Sequence, residues 1–216
     1  MNLSLHQSTF YGILDTGYVS PENWVAKYEA LVSGGASIVQ IRAKDSNQSE
    51  RYQLTEQIVR YRAQSAAPQP HLVINDDLEL ALEHPGLGLH VGQEDLPAVE
   101  ARKRLGPNRL LGLSTHSPEQ ARAAMALPAG TLNYFAVGPV FATQTKPTYT
   151  PVGLELVEYV AKQRPELPFF CIGGINRRNI EQVIAAGASR IVTVSDVLCS
   201  ADTAAAVRES ISIARK

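Results

Sequence analysis

Three polar side chains alternate with apolar residues in an otherwise apolar run near the start of the chain. The segment SIVQIRAKD places Gln40, Arg42 and Lys44 two residues apart. In a β-strand this spacing puts all three side chains on one face. Arginine offers a planar fork for paired oxygens and lysine a compact charge, so the set could bind a polyphosphate. A solvated edge strand is the alternative, and it fits poorly with the apolar residues between them.

Two carboxylates follow later apolar runs. Asp76 comes directly after HLVIN, and Asp95 follows LGLHV within the segment GQED. Two carboxylates that face one another repel unless a cation lies between them, and Mg²⁺ suits such a pair because substrate phosphates and waters complete its ligands. Each aspartate could instead cap the helix that follows it, and the residues alone leave this alternative open. Asp77 is interpreted as an ordinary surface or capping residue.

A loop-like stretch combines hydroxyl groups with a lysine. The segment 137–153, VGPVFATQTKPTYTPVG, contains Thr143, Thr145 and Lys146 between its prolines. Hydroxyls and an ammonium group together are suitable donors for an oxyanion such as phosphate. A solvated loop needs polar residues but not this combination, so the segment is a candidate for phosphate binding.

Two further segments have the composition of phosphate-binding turns. FFCIGGIN carries the pair Gly173-Gly174 before a predicted helix, and RIVTVSDVL carries Val194-Ser195 at a similar position. Backbone N–H groups at helix starts bind phosphate, and barrels commonly place such a site after strands seven and eight. A glycine pair alone is a weak signal, and its predicted position strengthens it.

The elements that must position these residues follow a regular alternation. Eight short apolar runs rich in β-branched residues are separated by helix-like segments; the runs are 11–15, 37–42, 71–75, 87–91, 109–114, 132–137, 169–173 and 190–195. This pattern predicts a single α/β domain over residues 1–216, a (β/α)8 TIM barrel with a parallel eight-stranded core. An open doubly wound sheet is the alternative. In a barrel all strand ends meet on one face, which adds Asn75, His90 and Ser114 to the candidate site.

Composition excludes several functional classes. The net charge is −1, which gives no basic field for nucleic acid, and no apolar run has the length of a signal peptide or a membrane span. Two isolated cysteines, Cys171 and Cys199, are typical of reduced thiols in a cytoplasmic protein. The five histidines lack zinc-ligand spacing, and neither a Ser-His-Asp order nor a GxGxxG segment is present. His90 and His116 remain without an assigned role.

The motifs taken in order resemble the thiamine phosphate synthase family. QIRAKD, VINDD, LHVGQEDLP, GLSTHS, VGPVFATQTKP, PVGLELV and CIGGIN cover about residues 11–200 in the order which that family uses. The resemblance implies a (β/α)8 barrel that couples 4-amino-2-methyl-5-(diphosphooxymethyl)pyrimidine to 4-methyl-5-(2-phosphoethyl)thiazole, with Mg²⁺ as cofactor. Thiamine phosphate and pyrophosphate would be the products, formed by dissociative substitution.

The resemblance also implies a role for each matching position. It places the pyrimidine diphosphate on Gln40, Arg42, Lys44, Asn75, Ser114 and Lys146, Mg²⁺ on Asp76 and Asp95, the thiazole on Thr143 and Thr145, and its phosphate on Gly173, Gly174, Val194 and Ser195. The catalytic members of this set would be Arg42, Lys44, Lys146 and Ser114. The threonine-rich loop would then act as a lid over the two phosphorylated substrates.

Small departures from the family pattern leave other functions to be weighed. Ala142 stands where the family commonly has proline, and Asp77 where it commonly has arginine. The alternatives are a thiazole tautomerase, which would need no metal, a non-catalytic regulator that binds thiamine precursors, and other phosphate-binding barrels such as sugar-phosphate epimerases. The cation and carboxylate set argues against the tautomerase. The oligomeric state is left open.

Overall fold

The computed structural model describes residues 5–143 and 150–216, and within them eight parallel strands close into a barrel in chain order. The strands are β1 (Phe10–Asp15), β2 (Ile38–Arg42), β3 (His71–Asn75), β4 (Gly88–Val91), β5 (Leu111–Thr115), β6 (Tyr134–Val137), β7 (Phe169–Cys171) and β8 (Ile191–Thr193). β1 closes the barrel because it pairs with β2 at Tyr11–Ile38 and with β8 at Phe10–Ile191. The predicted (β/α)8 barrel is confirmed, and the open sheet is excluded.

Helices surround the strands and cover the outer face of the barrel. They are α1 (Trp24–Gly34), α2 (Gln48–Gln64), α3 (Leu78–Glu83), α4 (Ala98–Leu105), α5 (Pro118–Met125), α6 (Gly153–Lys162), α7 (Ile180–Ala185), α8 (Ser195–Leu198) and α9 (Thr203–Ala214). Short 3₁₀ turns occur at Leu5–Gln7 and Pro21–Asn23. In the part of the chain that the structure describes, no helix combines the length and apolar character of a membrane span.

The inside of the barrel holds a cluster of aromatic rings. Tyr11, Tyr134 and Phe170 meet edge to face, with ring centroids 5.5 to 5.7 Å apart. Alternation along β1 and β2 places Tyr11 and Gln40 in this interior, while Gly12 faces the helices, where a Cβ on it would lie 3.1 Å from the Leu31 side chain. Large side chains therefore fill the barrel floor, and the polar groups of the strand ends lie above it.

Strand β2 ends earlier than the spacing of its polar residues predicts. It stops at Arg42, and Lys44 lies in the turn that follows, with an exposed side chain. The expectation that Gln40, Arg42 and Lys44 share one strand face is therefore wrong for Lys44. Gln40 and Arg42 point into the barrel, whereas Lys44 lies outside its rim.

Candidate active site

A cavity opens at the C-terminal ends of the strands, where the barrel mouth lies. Its lining includes many of the predicted site residues: Gln40, Arg42, Asn75, Ser114, Thr143, Gly173, Gly174, Val194 and Ser195. Tyr11, His90 and His116 also line it. The predicted Thr145 and Lys146 lie outside the described residues. The cavity thus gathers polar groups from β2, β3 and β5 and from the segments that follow β6, β7 and β8.

Arg42 is fixed by a carboxylate that the sequence analysis missed. Its Nη1 lies 2.6 Å from Oδ2 of Asp15, at the end of β1, and both side chains are buried. The other oxygen of Asp15 accepts a hydrogen bond from the backbone N–H of Gly17 at 2.9 Å. The charge of Arg42 is therefore largely balanced within the wall of the cavity, and its guanidinium is held in place. The polar end of the apolar run YGILD was the available signal for Asp15.

A chain of buried hydrogen bonds crosses the barrel below the cavity. Nε2 of Gln40 donates to the Tyr11 hydroxyl at 2.7 Å, and the hydroxyls of Tyr11 and Tyr134 are 3.1 Å apart. The Tyr134 hydroxyl lies 3.1 Å from Nδ1 of His90, and Nε2 of His90 lies 2.9 Å from Oγ of Ser114. Burial raises the pKa of both phenols above the ordinary value, so both stay protonated. Sequence reasoning proposed the two ends of this chain but not the tyrosines.

Lys44 and Asp76 lie in a second cleft beside the mouth cavity. This cleft has a volume of about 430 Å³. Asn75 lines both the cleft and the cavity, so the two spaces meet at the end of β3. Among the described residues Lys44 makes no hydrogen bond or ion pair, whereas the other cations of the cleft, Arg51 and Arg104, pair with acidic neighbours. Lys44 is thus the cleft cation available to an anion entering from the mouth cavity.

The structure separates the roles of the adjacent aspartates Asp76 and Asp77. Asp77 caps α3, because its Oδ1 accepts the N–H of Leu80 at 3.0 Å. Asp76 has a left-handed backbone with φ of 60°, and its Oδ2 accepts a hydrogen bond from Asn75 Nδ2 at 2.6 Å. The capping alternative for Asp76 is therefore wrong, and its exposed carboxylate remains a candidate cation ligand.

Asp95 does not cap a helix either. Its Oδ2 accepts the backbone N–H of Gly92 at 2.7 Å, which closes the turn after β4. The residue before α4 is Pro97, which makes no side-chain cap. Asp95 lines a third cleft with Gln93, whose Nε2 donates to the carbonyl of Ser114 at 2.5 Å. Asp76 and Asp95 thus lie on the same face of the barrel, in different clefts.

The donor chemistry of these two aspartates fits Mg²⁺. Hard carboxylate oxygens at neighbouring strand ends match an ion that uses one or two carboxylates and takes its other ligands from water and phosphate. Across residues 5–143 and 150–216 no three His, Cys, Asp or Glu side chains converge as metal ligands. Asp76 and Asp95 each supply one carboxylate, so an ion held there would need water and phosphate for its other ligands.

The glycine pair after β7 forms a crowded turn. Gly173 and Gly174 have φ of 101° and 63°, in the left-handed region that favours glycine. A Cβ on Gly173 would lie 2.3 Å from the Cα of Pro139, and one on Gly174 would lie 2.5 Å from the carbonyl oxygen of Ala142. Only glycine lets the segment after β6 approach the turn this closely.

This glycine turn is not itself the start of a helix. Residues 177–179 form a further turn, and α7 begins only at Ile180. The predicted helix does follow the glycine pair, but it begins a few residues later than expected, because side chains of Asn176 and Asn179 donate to the carbonyl of Gly174 and organise a turn there. Ser195, in contrast, is the first residue of α8.

Comparison with known proteins places this architecture in context. A family model described as thiamine monophosphate synthase matches residues 10–197. The chain is 42% identical over 202 residues to a thiamine-phosphate synthase of Arthrobacter sp. (strain FB24), covering 83% of each chain. It is 36% identical over 205 residues to that of Pelotomaculum thermopropionicum, covering 94% of this chain and 91% of the relative.

Solved structures show the same likeness. A thiamine phosphate pyrophosphorylase from Pyrococcus furiosus superposes with a TM-score of 0.75 and 26% identity, over 96% of this chain and 95% of that one. A 3-hexulose-6-phosphate synthase superposes with a TM-score of 0.67 over 95% of this chain and 99% of its own, at 18% identity. The second likeness concerns the fold alone.

Proposed function

The chain belongs to the thiamine monophosphate synthase family, and from this premise we propose that the barrel mouth, within a single catalytic unit of residues 1–216, is its active site. The protein is a transferase that joins the aminopyrimidine diphosphate to the thiazole phosphate, forming thiamine phosphate and pyrophosphate. The observation that carries the site assignment is the convergence of Gln40, Asn75, Ser114 and Gly173 on one cavity. Its ligands are small phosphorylated molecules.

The pyrimidine ring is proposed to occupy the part of the cavity next to Gln40 and Ser114. Gln40 and Ser114 supply polar contacts there, and apolar side chains such as Ile13 and Ala136 form the walls. The diphosphate then extends past Asn75 toward Lys44 in the adjoining cleft. Because Asp15 balances much of the Arg42 charge, Lys44 supplies the larger share of the positive charge along this path, and Lys146 adds to it by the family resemblance.

The thiazole phosphate is proposed to bind on the opposite side of the mouth. Thr143, the glycine turn at Gly173-Gly174 and the segment Val194-Ser195 line that side of the cavity. Backbone N–H groups and hydroxyls are suitable donors for a phosphate. Two phosphorylated substrates then meet above the buried hydrogen-bond chain.

The reaction requires charge stabilisation more than proton transfer. The bond between the pyrimidine methylene and the diphosphate oxygen breaks, both electrons leave with pyrophosphate, and the thiazole nitrogen lone pair forms the new bond to carbon. Arg42 and Lys44 stabilise the departing anion, and the amino group of the ring delocalises the positive charge left on the methylene. The protein orients the two substrates and excludes the water that would trap the cation.

Asp76 and Asp95 are proposed to hold Mg²⁺ beside the diphosphate. When bound, the ion would neutralise part of the leaving-group charge. Asn75 orients the Asp76 carboxylate by its hydrogen bond of 2.6 Å.

A coupling assay tests this function. Purified protein is mixed with both substrates and Mg²⁺, and thiamine phosphate is oxidised to fluorescent thiochrome; matched samples contain EDTA, or EDTA followed by excess Mg²⁺. We expect fluorescence with Mg²⁺, its loss in EDTA and its return on adding the ion back. Product that forms equally in EDTA would refute the metal proposal, and two intact substrates in every sample would refute the coupling activity.

A further inference from the structure

The buried hydrogen-bond chain links five different strands. Gln40 lies on β2, Tyr11 on β1, Tyr134 on β6, His90 on β4 and Ser114 on β5. All five side chains are buried, and Tyr11 and Tyr134 are also packed against Phe170. Aromatic packing on both sides leaves these hydroxyls little freedom to rotate away from their partners. The two ends of the chain, Gln40 and Ser114, line the mouth cavity.

The donors and acceptors along the buried hydrogen-bond chain determine in which direction its protons point. The Gln40 amide nitrogen donates to the Tyr11 oxygen, so the arrangement in which each hydroxyl proton finds an acceptor has Tyr11 donating to Tyr134. Tyr134 then donates to Nδ1 of His90, which makes that nitrogen the acceptor and places the ring proton on Nε2. The Nε2–H donates to the Ser114 oxygen, so the hydroxyl proton of Ser114 is directed away from His90.

We propose that this chain is polarised in the direction from Gln40 to Ser114 and thereby fixes the hydrogen-bonding pattern that the cavity presents to its substrate. The carbonyl oxygen of Gln40 is held as an acceptor, because its amide nitrogen is engaged by Tyr11. The Ser114 hydroxyl is held as a donor, because its oxygen accepts from His90. Tyr11, Tyr134 and His90 are positioning residues that act through these two groups.

This pattern selects a class of ring, an inference that rests on the proposed function. A 4-aminopyrimidine offers an amine donor to Gln40 and a ring nitrogen acceptor to Ser114. The 4-oxo analogue carries a carbonyl oxygen and a ring N–H in their place, so both contacts would bring like groups together. Buried polar groups left unpaired reject such analogues strongly. We expect the diphosphate of the 4-oxopyrimidine to be used at least about 100-fold less efficiently in kcat/KM.

The first test is the tautomer of His90 in the protein without substrates. Nitrogen NMR of ¹⁵N-histidine-labelled protein at alkaline pH distinguishes the two neutral ring forms, and the His90→Gln spectrum assigns the signal. We expect the proton on Nε2. A ring that carries its proton on Nδ1 would overturn the proposal, since the chain would then run in the opposite direction. This measurement is independent of the coupling activity, so it stands even if the proposed function fails.

The second test removes a hydroxyl group from the centre of the buried hydrogen-bond chain. Tyr134→Phe removes the donor to His90 while it keeps the ring that packs on Phe170. We expect the His90 signals to shift toward a mixture of tautomers, and KM for the pyrimidine diphosphate to rise about tenfold with KM for the thiazole phosphate unchanged. The 4-oxo discrimination should weaken in the same variant. Tyr11→Phe removes the hydrogen bonds of the Tyr11 hydroxyl to Gln40 and Tyr134, and this variant replaces Tyr134→Phe in the test if Tyr134→Phe does not fold.

A matched control separates this effect from general loss of a buried hydroxyl. Tyr28 on α1 is a buried tyrosine whose hydroxyl bonds to Gln69 and Arg62, outside the barrel interior. Tyr28→Phe should leave the His90 tautomer and both KM values as in the unmodified protein. An equal rise of KM in Tyr28→Phe and Tyr134→Phe would overturn the proposal, as would a Tyr134→Phe protein with wild-type tautomer and KM.

Discussion

Asp76 has a backbone conformation that few side chains tolerate. Substitutions at this position can therefore distinguish the effect of its backbone on stability from the effect of its carboxylate on turnover. At φ of 60° the left-handed region is accessible to Asn and Asp, whereas other residues with a Cβ lose about 1 kcal/mol or more. Asp76→Asn should therefore keep the stability of the protein, while Asp76→Ala should lose about 1 kcal/mol in urea unfolding. Both variants should lower turnover at limiting Mg²⁺ at least about tenfold.

The neighbouring carboxylate provides the control for Asp76. Asp77 caps α3, and asparagine caps helices equally well. Asp77→Asn also removes the partly exposed ion pair with Arg51, so we expect a stability loss below about 1 kcal/mol and an unchanged Mg²⁺ dependence. Turnover at limiting Mg²⁺ that is normal in Asp76→Asn would remove this residue from the proposed metal site.

The buried pair of Asp15 and Arg42 predicts a second effect at the residue scale. Asp15→Asn keeps the size of the side chain but leaves the Arg42 charge buried without its partner, so we expect a loss of about 3 kcal/mol in stability. The exposed pair of Glu158 and Lys162 is the control, since Glu158→Gln should cost less than about 0.5 kcal/mol. Equal losses in urea unfolding would contradict the view that burial makes the first pair indispensable.

At the scale of elements, the turn after β7 depends on the close approach of the segment after β6. Val140 and Phe141 donate backbone hydrogen bonds to the carbonyls of Ile172 and Gly173, at 2.8 and 2.9 Å. Gly173→Ala would place a Cβ against the backbone of Pro139, so we expect a loss of about 2 to 3 kcal/mol and weaker binding of the thiazole phosphate.

Gly130 is the matched control for this turn. Its φ is 81°, but a Cβ there would meet no atom within 4 Å, so Gly130→Ala should suffer only backbone strain of about 1 kcal/mol. Calorimetric unfolding of the two variants measures the difference. If both lose the same stability, the close approach to Pro139 is not what requires glycine at position 173.

Local sequence patterns predicted the elements and the strand-end residues, because an apolar run that ends in a polar residue is a local signal. The same patterns failed for the end of β2, which stops before Lys44, although they did anticipate the capping role of Asp77. They also missed Asp15 and the two tyrosines of the buried chain. Tyr11 and Tyr134 are far apart in sequence, and nothing local shows that their hydroxyls meet.

At the scale of the whole molecule, the buried phenols couple global stability to alkaline pH. The ordinary tyrosine pKa is 10.0, and burial raises the pKa of Tyr11 in the folded protein. A raised folded pKa contributes stability that is fully present below about pH 10 and is lost as the pH rises further, because the unfolded chain releases its proton first. The free energy of unfolding should therefore fall above about pH 10.

Removing one buried phenol should flatten this dependence. Tyr11→Phe should reduce the slope by up to about 1.4 kcal/mol per pH unit, measured by urea unfolding between about pH 9 and 11. Tyr52→Phe, at a half-exposed ring, should leave the slope unchanged. A slope identical in the Tyr11→Phe and unmodified proteins would show that Tyr11 is not shielded from ionisation in the folded state.

The pairing of β1 with β8 has a consequence for folding during synthesis on the ribosome. Strand β1 leaves the ribosome first, but it can pair with β8 only after Ile191–Thr193 has left the exit tunnel. Until then both β1 and β7 are open sheet edges. Such edges invite pairing with other nascent chains. A released chain that ends before β8 should therefore aggregate and need a chaperone, whereas a released chain that ends within α9, after β8, should still close the barrel.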